Sequence, residues 1–112
     1  SPGGGTTVGM VGCGDRELSY WDARLNRAYA NLRVQLKAED AEMAELGSSV
    51  PAQWPALLAM QRAWMPFRDA TCDFERSAWG GGTGGGPATV LCLMYETGQQ
   101  TLVLESRLNR AR

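Results

Sequence analysis

Two cysteines, Cys72 and Cys92, stand at equal distances on either side of Gly82, which lies within the glycine run Gly80–Gly86 (GGGTGGG). Helix-compatible sequence flanks the run on both sides, so the direct reading is a helical hairpin that turns at the glycines. At about 1.5 Å of rise per residue, each cysteine then lies roughly 7–11 Å from the turn, at the same height on facing helices. A disulfide is geometrically natural there, provided the Cα atoms come within about 4.4–6.8 Å. It would close a loop of about 20 residues and stabilise the fold by roughly 3 kcal/mol in the chain-entropy picture. The alternative is a pair of buried free thiols on apolar faces.

Helical periodicity accounts for the rest of the chain. Leu18, Trp21, Asp22, Leu25, Ala28, Tyr29, Leu32 and Leu36 recur at three- and four-residue steps, which is one stripe of an amphipathic helix. Asp15 is a good N-cap for it, and Gly47 with Ser48 and Ser49 ends it after Glu45. A second stripe joins Trp54, Leu57, Leu58, Gln61, Trp64, Phe67, Arg68, Thr71, Cys72 and Glu75. Pro51 and Pro55 suit the start of that helix, whereas Pro66 lies inside it and should kink its axis. Pro87 suits the first turn of a third helix bearing Leu91, Cys92, Tyr95, Leu102 and Leu108, weakened by Gly98. Residues 1–14 are glycine-rich with little apolar pattern and read as an irregular N-terminal arm. The expected architecture is all-α: a disulfide-stapled antiparallel bundle of three main helices over residues 15–112, preceded by that arm.

Composition narrows the function classes. The 112 residues contain no histidine, which removes Ser-His-Asp and Cys-His catalysis and His-ligated metals. Net charge is −1 with signs mixed along the chain, so no basic tract marks a nucleic-acid partner. Apolar runs such as Leu57 to Met60 fall far short of the ~20 residues that span a bilayer. The start at Ser1, without Met or leader, reads as a processed or excised piece. No cofactor is expected, and the domain reads as a non-enzyme.

The remaining constellations each have a functional and a plain reading. With Cys72 and Cys92 paired, Cys13 is left over and points to a partner outside this stretch. Three scattered cysteines without CxxC spacing make a poor zinc site. The glycine run lacks the Lys-Ser/Thr ending of a phosphate-binding loop and reads as a flexible, exposed connection. Asp22, Asn26, Gln61, Arg68 and Asp69 lie on or beside the apolar stripes. Acid–base catalysis would pair Asp22 with Asp69 or Glu75; the favoured reading is a buried structural network with Arg68 bonded to a carboxylate across helices. Of the four tryptophans, Trp79 lies off the cleanest stripe and beside the glycines, and reads as an exposed interface anchor.

Three segments carry a family likeness: Asp22 to Leu32 (DARLNRAYANL), Ala59 to Cys72 (AMQRAWMPFRDATC) and Gly80 to Thr97 (GGGTGGGPATVLCLMYET). In that order they resemble the LprI-like lysozyme-inhibitor (DUF1311) family over about Gly5 to Glu105. The resemblance implies a secreted or periplasmic helical protein with cysteine bridges, and relatives commonly carry further cysteines upstream of Cys13. It departs at Pro66, where a helix former is expected, at Gln100, where an arginine often stands, and in lacking the upstream cysteine. The implied function is non-enzymatic inhibition of a lysozyme by protein contact, with Arg76, Trp79 and Thr83 as candidate contact residues. The other reading is a cell-envelope interaction or scaffold module without a lysozyme target.

Overall fold

The computed structural model describes the backbone of residues 7–110 and the side chains of residues 14–108 and 110. It contains three helices, α1 (Thr7–Glu45), α2 (Gln53–Ser77) and α3 (Gly85–Arg110), with no strand among the described residues. α3 is the central element: it packs on both α1 and α2, which meet each other least. α1 and α3 run parallel, with α2 antiparallel between them in the chain. The all-α, three-helix, disulfide-stapled architecture expected from the periodicity is the one observed.

α1 begins earlier than its composition predicts. The helix starts at Thr7, so residues 7–14 are not an irregular arm, and exposed Asp15 lies within the helix and does not cap it. The reason is tertiary. Gly14 is buried, and a Cβ there would stand 2.6 Å from Val90 Cγ1 on α3. Close packing of bare backbone on α3 offsets the helix cost of glycine. The expected arm over residues 1–6 and the side chain of Cys13 lie outside the described residues.

The predicted stripe of α1 supplies the core. Leu25, Ala28, Leu32 and Leu36 are buried with Leu57 of α2 and Leu104 of α3, and Tyr29, Trp54, Trp64 and Leu108 pack around them. At its far end α1 closes as the sequence predicts. Gly47 takes φ +70°. Ser48 N–H donates to the Met43 carbonyl at 3.0 Å and Gly47 N–H to the Ala44 carbonyl at 3.1 Å, the two bonds of a Schellman cap.

α2 has no capping side chain of its own, because its N-cap residue is Ala52. Asp40 of α1 fills that role: its carboxylate accepts the N–H groups of Gln53 at 2.7 Å and Trp54 at 2.8 Å. Pro55 comes next and has no N–H to satisfy, so the first turn is closed. α2 then continues through Pro66 as one helix. Phe67, read as part of the buried stripe, is 62 % exposed.

The buried face of α3 differs from the one its apolar residues suggest. Leu91, Tyr95 and Leu102 are exposed, whereas Thr97, Gly98, Thr101 and Leu104 are buried. Threonine and glycine read as polar or helix-weakening, so apolar content alone misplaces the phase. The threonines are satisfied inside the bundle: Thr101 Oγ1 donates to the Thr97 carbonyl at 2.8 Å, and Thr97 Oγ1 accepts from Arg68 at 3.4 Å. Gly98 lies against the Trp21 ring, which settles on the bare backbone there.

Candidate functional site

The end of the α2–α3 hairpin is built around one tryptophan. Ala78 and Trp79 close α2 with N–H bonds to the carbonyls of Glu75 (3.2 Å) and Arg76 (3.0 Å). Gly80 then takes φ +57°, a left-handed conformation that favours glycine. The chain folds back so that Gly82 N–H donates to the Trp79 carbonyl at 3.1 Å and Gly85 N–H to the Gly82 carbonyl at 3.4 Å. The indole lies directly on Gly84, where any Cβ would collide with Cε3 and Cζ3 of the ring. The glycine run is thus a seat for Trp79 as well as a connection, and its last two glycines belong to α3. Just beyond, Cys72 and Cys92 are joined in a disulfide with Cα atoms 5.6 Å apart, as their spacing about the turn predicts.

Around the disulfide the surface is apolar and open. Phe74 is 79 % exposed, Tyr95 62 %, Trp79 51 % and Leu91 49 %. Leu91 and Tyr95 are one helical step apart and share a face of α3. These side chains line a groove of about 640 Å³ between α2 and α3, with Pro87 and Cys92. Glu75 and Glu96 are in the same lining, and among the described residues neither carboxylate has an ion-pair partner. An open aromatic surface held by a covalent bridge is the kind of patch that meets another molecule. Arg76 and Thr83 are also exposed at this end, with Arg76 lying along Gly85.

The chain matches the family described as lysozyme inhibitor LprI over residues 1–104. It belongs to the LprI lysozyme-inhibitor family. It is also similar to an uncharacterized protein of Rhizobium meliloti, 27% identical over 99 residues that cover 88% of this chain and 71% of the relative. No solved structure matches it.

Within this LprI-family chain the polar residues singled out from sequence form two separate contacts. Arg68 donates to Asp69 Oδ1 through Nε at 3.0 Å, with Nη2 2.9 Å from the same oxygen, and its Nη1 lies 3.9 Å from Asp22 Oδ1. Gln100 Nε2 donates to Gln61 Oε1 at 3.0 Å and so links α3 to α2. Asn26 is exposed and joins neither contact among the described residues. The network is also less buried than expected, with the Asp22 and Asp69 side chains 48% and 57% exposed. Arg68 stands between these two carboxylates and supplies the positive partner of each, which leaves no free acid–base pair there. No group of three or more His, Cys, Asp or Glu among the described residues could hold a metal ion.

Sequence reasoning passed over the most open members of the groove. Leu91 and Tyr95 enter the sequence reading only as residues of the third helix, and Phe74 is not singled out there. Phe74 carried a usable signal: it is an aromatic residue off the apolar stripe, two positions from a cysteine. The Arg24–Glu105 ion pair, with Nε 2.6 Å from Oε2 and Nη2 2.7 Å from Oε1, had no such signal, because its partners are 81 residues apart. A second groove of about 580 Å³ lies where α3 ends, floored by Leu32, Leu36, Leu57 and Leu104 of the core.

Proposed function

We propose that this LprI-family protein works outside the cytoplasm as a non-enzymatic inhibitor that binds a lysozyme through the α2–α3 end of the bundle. The observation that carries this reading is the open groove of Phe74, Trp79, Leu91 and Tyr95 fixed beside the Cys72–Cys92 bridge. A structural disulfide suits a secreted or periplasmic setting, where thiols are oxidised. Aromatic anchors in a pre-formed groove supply contact area at small ordering cost, which favours protein binding over chemistry. Arg76 and Thr83 flank the anchors and extend the contact surface. Muramidase rates measured with a panel of lysozymes should fall with added protein. The Phe74→Ala/Trp79→Ala variant should lose that effect while keeping its helical circular dichroism. Unchanged rates for every lysozyme at micromolar protein would falsify the proposal.

The second reading is an envelope scaffold that docks a different protein in the same groove. The net charge of −1 favours it, since it provides little long-range steering toward a strongly basic enzyme. Recovery of a non-lysozyme partner from periplasmic extract, lost in the same double variant, would select it.

A further inference from the structure

Three of the four tryptophans already carry a cation from their own chain. The Arg24 guanidinium lies 4.8 Å from the Trp21 ring centroid and that of Arg68 5.1 Å from Trp64. Trp54 has two, Arg33 at 5.3 Å and Lys37 at 5.2 Å. Trp79 alone has none among the described residues. It is also the tryptophan with the most open surroundings: one part of its ring is laid on Gly84, and 51 % of the residue remains exposed. The groove it opens into holds two further exposed aromatic rings, Phe74 and Tyr95, and the carboxylates of Glu75 and Glu96, which have no ion-pair partner among the described residues.

We infer that this groove accepts a cationic side chain, an arginine on a projecting loop of a basic protein partner, seated among Trp79, Tyr95 and Phe74 with Glu75 and Glu96 as its counter-charges. Aromatic faces attract a guanidinium through the ring quadrupole, and the attraction grows as water is excluded. Arginine fits better than lysine, because its planar, weakly hydrated guanidinium both stacks on rings and forks onto carboxylates. The groove's own charge has the complementary sign. A neutral apolar helix would leave both glutamates without partners, and an acidic one would oppose them. The inference deepens the proposed function by naming the chemistry of the group received, and it rests on that reading's choice of surface. It does not depend on the partner being a lysozyme.

The test uses the whole chain, labelled with nitrogen-15, and follows its four indole N–H resonances, one per tryptophan. Trp79→Phe identifies the relevant signal by deleting it. The probe is the blocked peptide acetyl-Gly-Arg-Gly-amide, compared at low salt with its citrulline analogue, which keeps the shape and lacks the charge. The arginine peptide should shift the Trp79 resonance saturably and leave those of Trp21, Trp54 and Trp64 in place. The citrulline peptide should bind several-fold more weakly. Glu75→Gln/Glu96→Gln should weaken the arginine peptide several-fold without changing the citrulline response. A Trp79 signal that does not move, or moves equally with both peptides, overturns the inference. Arginine-peptide binding together with unimpaired lysozymes would retain this inference and reject only the lysozyme target.

Discussion

Gly14 and Gly98 both lie inside helices, where glycine costs about 1 kcal/mol relative to alanine, yet the space beside them differs. A methyl group on Gly14 would meet Val90 Cγ1 at 2.6 Å, a contact that a branched, helix-held side chain cannot readily relieve. A methyl group on Gly98 would rest 3.5 Å from the Trp21 ring, an ordinary van der Waals distance. The same substitution should therefore act in opposite directions. Gly14→Ala should lower stability by about 1–3 kcal/mol through overpacking of α1 on α3. Gly98→Ala should raise it by about 0.5–1 kcal/mol, since helix propensity is gained without a clash. Urea unfolding of the two variants, followed by circular dichroism, measures both signs; a destabilised Gly98→Ala protein would show that the Trp21 seat needs bare backbone.

Each helix depends on a neighbour for something its own sequence lacks. α2 has no capping side chain at Ala52, and Asp40 of α1 takes over the two free N–H groups of Gln53 and Trp54. Asp40→Ala should cost about 1 kcal/mol, typical of a lost N-cap, and Asp40→Asn should recover only part of it, because the two N–H groups are accepted by different carboxylate oxygens and an amide offers one acceptor. Thermal melts of the two variants compare them directly. Such a cap was not legible in the sequence, because its donors and acceptor are on different helices and are 13 and 14 residues apart. The α2–α3 pairing, by contrast, was legible, since glycines and cysteines arranged symmetrically around a turn imply facing positions. Replacing Cys72 and Cys92 with serine should lower stability by roughly 3 kcal/mol, the entropy of a freed loop of this size. A chemical-denaturation midpoint unchanged by reduction would contradict that role.

The whole molecule is thin. Its Cα extents are 60 × 26 × 15 Å and its radius of gyration is 18.2 Å. A compact domain of similar length would have a radius of about 13 Å. α1 sets the length, since 39 helical residues span about 58 Å. Thinness explains why so many large apolar side chains stay outside and why long-range ties matter. One tie is Arg24 to Glu105, which joins α1 to α3. The Arg24 hydrogen bonds hold the Glu105 carboxyl below the usual glutamate range, against a smaller opposing effect of burial. A depressed folded-state value means that the stabilisation is fully present above the unfolded-state value. It is lost as the pH falls from there through the depressed one. The wild-type advantage over Glu105→Gln should accordingly be constant near neutrality and shrink in acid. Denaturation series of both proteins from pH 7 downward give this difference; an advantage that persists at the lowest pH would exclude a charge-based tie.

The sequence by itself determined the helical class, the α1 core stripe, the Gly47 cap, the turn at the glycines and the Cys72–Cys92 pairing. Each of these rests on local period or local backbone chemistry, which neighbouring residues specify. Only the tertiary structure decided where α1 begins, which face of α3 is buried, and what lines the groove. Those outcomes depend on what the facing helix offers. Val90 meets Gly14 and Trp21 meets Gly98, while Thr97 and Thr101 find hydrogen-bond partners inside the bundle. Once these small and polar residues occupy the contact with α1, Leu91 and Tyr95 are turned outward. The open aromatic surface beside Trp79 is therefore a consequence of how α3 packs, which hydrophobicity along the chain does not encode.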